Sequence, residues 1–127
     1  MTHGPVETLA THVTLADGLF HIVSKGVVST DESVSATIEA ATRLAGGRRH
    51  PVLFDARIWP GGDPRGWLAV INQMRAVFSA GSMIVDPAML ESLSERFDPL
   101  GRLLIPFRVF TNEDEALAFL EPFKNSD

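Results

Sequence analysis

At 127 residues the chain has the length of one domain, and folding at that size buries roughly two-thirds of the surface the unfolded chain exposes. It has no cysteine, which excludes disulfides, thiol nucleophiles and thiolate metal sites and fits a reducing, cytoplasmic setting. A net charge of -5 and a pI near 5.3 argue against a nucleic-acid partner, because phosphate-tracking surfaces are built from lysine and arginine.

No apolar run approaches the length of a membrane span, and the opening MTHGPVETLA has neither a basic nor an apolar leader region. Neither a membrane span nor export is expected. Residues 1–7 read as a loose arm, since Gly4 and Pro5 interrupt any period. Within THVTLADGLFHIVSK, Val13 and Leu15 alternate in one run and Phe20 and Ile22 in the next. Asp17-Gly18 between them is a hairpin signal.

Ser29, or Thr30 one residue later, caps a predicted helix whose Val34, Ile38, Ala41 and Ala45 share one face, with Glu39 and Arg43 left for solvent. Gly46-Gly47 supplies its left-handed end. The basic spot Arg48, Arg49 and His50 is read as charge that offsets the helix dipole at that end. Val52, Leu53 and Phe54 then form a short buried strand between Pro51 and the Pro60-Gly61-Gly62 loop. Asp63-Pro64 starts a further helix, with Trp67, Ile71, Met74 and Phe78 on one face and Ala80-Gly81 at its end.

Met83, Ile84 and Val85 read as another strand, and Asp86-Pro87 as the start of a helix carrying Met89, Leu90, Leu93 and Phe97. The segment Leu100 to Ile105 is more apolar than a solvated connector needs. It either closes the core or presents a contact patch for a second copy, as in a homodimer, or for another protein. Phe107 to Phe110 is the last strand. Thr111, three residues before Asp114, has the spacing of a cap for the terminal helix, whose apolar face is Ala116, Leu117, Leu120 and Phe123. Residues 124–127 are expected to fray. Strands alternating with helices predict a single α/β domain with an N-terminal β-hairpin and a mostly parallel, mixed sheet.

In such sheets, ligands and partners meet the loops beyond the carboxyl ends of the strands, so the loop after the central strand is the candidate site. Asp55 and Arg57, two apart, are predicted to share a face. They form either an acid-base or anion-binding pair or a local ion pair that satisfies a partly buried aspartate. Gly61 and Gly62 bring backbone N–H groups to a helix start, as an anion cradle or as ordinary turn geometry; neither glycine spacing nor lysine makes this a nucleotide motif. Trp59 is either an exposed partner anchor or core. Arg65 extends the same surface, and Asp63 is an N-cap. His3, His12, His21 and His50 have no metal-ligand spacing, no serine sits in a nucleophile elbow, and no cofactor is expected.

Three segments, GGRRHPVLFDAR, IVDPAMLESLSERF and PFRVFTNEDEALAFL, together resemble bacterial STAS/SEC14-type domains of unassigned role, distant relatives of the SpoIIAA-type anti-sigma factor antagonists. The resemblance spans Gly46 to Leu120. It implies a SpoIIAA-like fold, a protein partner and no enzymatic activity. In the antagonists a phosphorylatable serine or threonine opens the helix after the central strand; here Ile58 to Gly66 contains neither, although Asp63 places a fixed negative charge at that helix start. The reading that results is a non-enzymatic cytoplasmic interaction or regulatory domain, engaging a protein partner through Arg57 to Trp67. The alternative is a binder of a small or lipid-like ligand, or a small enzyme, using the loop around Asp55 and Arg57.

Overall fold

The computed structural model describes residues 6–8, 11–26, 31–58, 71–92, 94–95 and 105–124. Its strands are β1 (Val6–Glu7), β2 (Thr11–Ala16), β3 (Leu19–Ser24), β4 (His50–Asp55), β5 (Phe78–Ile84) and β6 (Phe107–Phe110). Its α-helices with defined bounds are α1 (Asp31–Ala45), α2 (Ile71–Val77) and α3 (Glu113–Leu120). The fold is α/β, as expected, and the six strands lie in the sheet in chain order.

Asp17 and Gly18 both take positive φ, 54° and 74°, as a two-residue type I′ turn requires. Ala16 therefore sits opposite Leu19, and β2 pairs antiparallel with β3 over its whole length. The pairs β3–β4, β4–β5 and β5–β6 are parallel. Each parallel step needs a crossover, and α1 and α2 supply two of them on the same face. There Val34, Ile38, Ala41 and Leu44 of α1 and Met74 and Val77 of α2 bury Val13, Phe20, Ile22, Val52, Phe54 and Phe78. Phe78 packs edge-on against Phe20 and Phe54, with ring centres 5.4 and 5.9 Å apart.

No strand follows α3 in the described chain, so it is free to lie on the opposite face. It buries Ala116 and Leu120 against Leu53, Ala80 and Ile84. Ser82 Oγ donates to the Ala116 carbonyl at 2.9 Å and ties β5 to that helix. Along β4 the side chains alternate between these two cores, Val52 and Phe54 on one face and Leu53 on the other.

Pro51 lies inside β4, although the composition suggested a strand starting after it. A proline between two strands leaves a ladder position without a donor. The neighbouring strand adjusts at that point: His50 is opposite Phe78 and Val52 is opposite Gly81, so β5 carries one extra residue facing Pro51. The bulge brings Phe78 and Gly81 to the same face despite their spacing of three. Arg49, expected to offset the α1 dipole, reaches across instead and donates from Nη2 to the Phe78 carbonyl at 3.3 Å.

Several local expectations are corrected. Phe78 continues the helical period of Ile71 and Met74, yet α2 ends at Val77 and Phe78 opens a seven-residue strand, with no loop between them. Ala80-Gly81 is thus strand interior, and Val85 lies just past the strand end. Asp86 does cap, accepting from Ala88 N at 2.9 Å, but the turn it starts is a 3₁₀ helix (Pro87–Met89). Its Met89 is exposed rather than core, while residues 90–92 and 94–95 are helical. The cap of α3 is Asn112, accepting from Glu115 N at 3.1 Å, and not Thr111. Ile105 joins the core, whereas residues 96–104 lie outside the described residues, as do the expected caps Ser29 and Thr30.

At the other edge, Val6 and Glu7, expected in a loose arm, form β1, with Val6 opposite Val13 and Glu7 opposite His12. The Glu7 carboxylate accepts from both His12 Nδ1 and Lys25 Nζ, and this pairing, Lys25 first, holds it below the usual carboxylate range. Thr8, Thr11 and Thr37 join their hydroxyls in a chain, at 2.6 and 2.7 Å, that links this edge to α1.

Candidate functional site at the carboxyl edge of the sheet

The carboxyl ends of the parallel strands β3 to β6 meet at one edge, where Asp55 ends β4. Ala56 N donates to the Ile84 carbonyl at 2.8 Å, so β4 and β5 stay paired to that point. Arg57 has already entered a turn, and it is the turn, not strand alternation, that brings it to Asp55. Asp55 Oδ1 accepts from Arg57 N at 3.3 Å, a bend of the kind aspartate side chains favour.

The guanidinium then grips the carboxylate at two points. Arg57 Nε donates to Oδ1 at 2.9 Å and Nη2 donates to Oδ2 at 2.5 Å. The Asp55 side chain is 12% exposed and that of Arg57 is 53% exposed. Hydrogen bonding to Arg57 holds the Asp55 carboxyl below its ordinary range, and the same contact raises Arg57, with a further pull from Glu113. Both carboxylate oxygens are thereby occupied, which is the local ion pair anticipated for a partly buried aspartate. Such a fork is a poor general base, because its proton affinity is depressed and its lone pairs are engaged.

Next to Arg57 stands Ile58, 65% exposed, and Met89, on the loop after the neighbouring strand, is 43% exposed. These are the large hydrophobic side chains left exposed among the described residues. Gly26, just beyond β3, lies beside Ile58; a Cβ there would make only ordinary contact, 3.6 Å from the Ile58 carbonyl oxygen, so it is the backbone φ of 79° and not lack of space that favours glycine. Asp86, in the connection after β5, and Glu113, the first residue of the helix after β6, follow the neighbouring strand ends. Periodicity missed Met89, since it assigned that residue to a helix face. The exposure of Ile58 had no signal beyond its place in the loop.

Of the residues predicted for the site, the structure brings Asp55 and Arg57 together. Trp59, Gly61, Gly62, Asp63 and Arg65 lie outside the described residues. His21, one of the histidines without metal-ligand spacing, shares a sheet face with Leu53, and its Nε2 is buried with no hydrogen-bond partner among the described residues. Among the described residues no group of three or more histidines and carboxylates could hold a metal ion. No helix among them is long and apolar enough to cross a membrane.

Comparison with curated proteins finds no match, and comparison with solved structures finds none either. The family model of a domain of unknown function, DUF7793, matches residues 13–124, and the chain belongs to that family.

Proposed function

We propose that this chain is a protein-interaction or regulatory domain of STAS-like type, bacterial and cytoplasmic, which carries out no catalysis. It engages a protein partner through the carboxyl edge of its parallel strands. The observation that supports this reading most is the exposure of Ile58 and Met89 on the loops that follow adjacent strands β4 and β5. Large apolar side chains at a strand-end edge gain free energy when a partner covers them, at roughly 25 cal/mol per Å² of apolar surface removed from water.

The Asp55–Arg57 fork supports the non-catalytic half of the reading, because it satisfies itself. It fixes the turn that presents Ile58. The three segments that resemble STAS/SEC14-type domains lie within residues 46–120, which include β4 and the loop after it. Regulation by phosphorylation of Ile58 to Gly66 is not part of the proposal, since that stretch has no serine, threonine or tyrosine.

The test is affinity capture from a lysate of the native host with wild type and the double variant Ile58→Asp, Met89→Asp. Both side chains are exposed, so the variant should fold. A partner retained at a stoichiometric level by wild type and lost by the variant supports the proposal. Identical retention by the two proteins refutes it.

A further inference from the structure

We propose that His21 is a proton-operated control on the Asp55–Arg57 fork: when its imidazole takes a second proton, the Asp55 carboxylate becomes shared between His21 and Arg57, and the turn at residues 55–57 loosens. The inference concerns that turn and stands apart from what binds the surface beyond it.

The sheet register brings the two groups to one face. β3 and β4 run parallel with His21 opposite Leu53 and Val23 opposite Asp55, so His21 and Asp55 lie diagonally across adjacent strands, on the face that α3 covers. Long and aromatic side chains reach one another across such a diagonal. His21 as a whole is half-buried, which leaves the ring within reach of solvent protons, but its Nε2 is buried and has no hydrogen-bond partner among the described residues. Buried polar atoms are ordinarily paired, so this nitrogen holds an unused position. With the ring neutral and its hydrogen on Nδ1, Nε2 is a bare acceptor. The imidazolium turns it into a charged N–H, and a buried charge needs an anion.

Asp55 is the anion placed to meet it. Across β2, His21 faces Thr14, whose hydroxyl donates to the His21 backbone carbonyl at 3.3 Å and not to the ring. His12, diagonal on that side, is engaged by Glu7, as is Lys25 beyond the end of β3. From the covering layer, α3 lays Ala116 and Leu120 over Leu53, and the charge of Glu113 at its start acts on Arg57. Glu121 and Lys124, past its far end, pair with each other at 3.3 Å. That leaves β4, where Leu53 is apolar and Asp55 is 12% exposed. Arg57 is the main cause that lowers the Asp55 carboxyl, and the charge of His21 is a further one in the same direction. Asp55 Oδ1 accepts twice from Arg57, from Nε and from the backbone N, whereas Oδ2 accepts once, from Nη2. A carboxylate oxygen has two lone pairs, so Oδ2 has a place for a second donor. Filling it draws charge away from the guanidinium and weakens the grip that fixes the turn.

Nitrogen-15 NMR on the full chain, titrated from pH 8 to pH 5, tests this, because that range brackets the charge change of histidine. In wild type the Arg57 Nε–H and backbone N–H signals are expected to move with the same midpoint as the His21 ring signals. In His21→Gln they should stay flat. In Asp55→Asn the His21 midpoint should move to lower pH, since the imidazolium has lost its counter-charge and the coupling is reciprocal. That second variant keeps the test in force if His21→Gln fails to fold. Arg57 signals that are flat in wild type, or that move equally in His21→Gln, overturn the proposal. A His21 midpoint that is unchanged in Asp55→Asn overturns it too.

Discussion

Arg57 grips Asp55 through both carboxylate oxygens, at 2.9 and 2.5 Å, one residue beyond the end of the β4 ladder. The pair stabilises the turn that leads into the candidate surface. Its folded carboxyl titrates below the unfolded value of about 3.9, so it adds stability above that pH and loses it as pH falls through the folded pKa. With Arg57 half exposed, the contribution is about 0.2 to 1 kcal/mol. Urea melts of wild type and Asp55→Asn should differ by that amount at pH 7, and the difference should close in strong acid.

Gly81 faces Phe107 across β5 and β6, and a Cβ at Gly81 would stand 2.7 Å from the Phe107 ring. That is closer than any side-chain carbon can sit without displacing the ring. Gly81→Ala should destabilise the fold by about 1 to 3 kcal/mol, the usual cost of overpacking a well-filled site. Adding Phe107→Leu should recover part of the loss. Thermal melts of the two variants measure both effects.

The cap of α3 offers a sharper discrimination between neighbours. Asn112 accepts from Glu115 N, while Thr111 is exposed and outside the helix. Asn112→Ala should cost about 1 kcal/mol. Thr111→Ala should stay within about 0.5 kcal/mol of wild type, as surface substitutions away from such features do. Equilibrium denaturation of both variants decides which residue caps.

Much of this architecture is written in local sequence. Asp17-Gly18 specifies the hairpin because few residue pairs tolerate two positive φ angles in succession. The β6 strand has the bounds its residues suggest, and the apolar face of α1 is the one its spacing predicts. What the sequence hides is set by tertiary contacts. Phe78 satisfies the helical period yet belongs to a strand, because a buried position beside Phe20 and Phe54 suits a phenylalanine in either conformation. The bulge depends on Pro51 having a strand on each side, which no window of local sequence reports. Thr111 and Asn112 both have capping chemistry, and only the helix start separates them. At the site, Asp55 and Arg57 were legible as a pair. Met89 was not, since its exposure depends on a 3₁₀ turn replacing the expected helix.

Amide hydrogen exchange over residues 55–58 and 85–89, on purified protein with and without clarified lysate of its native host, tests the partner surface most directly. Protection of both loops on adding lysate, lost in the Ile58→Asp, Met89→Asp variant, is the predicted result. Unchanged exchange in both loops, or protection confined to another part of the sheet, would contradict it.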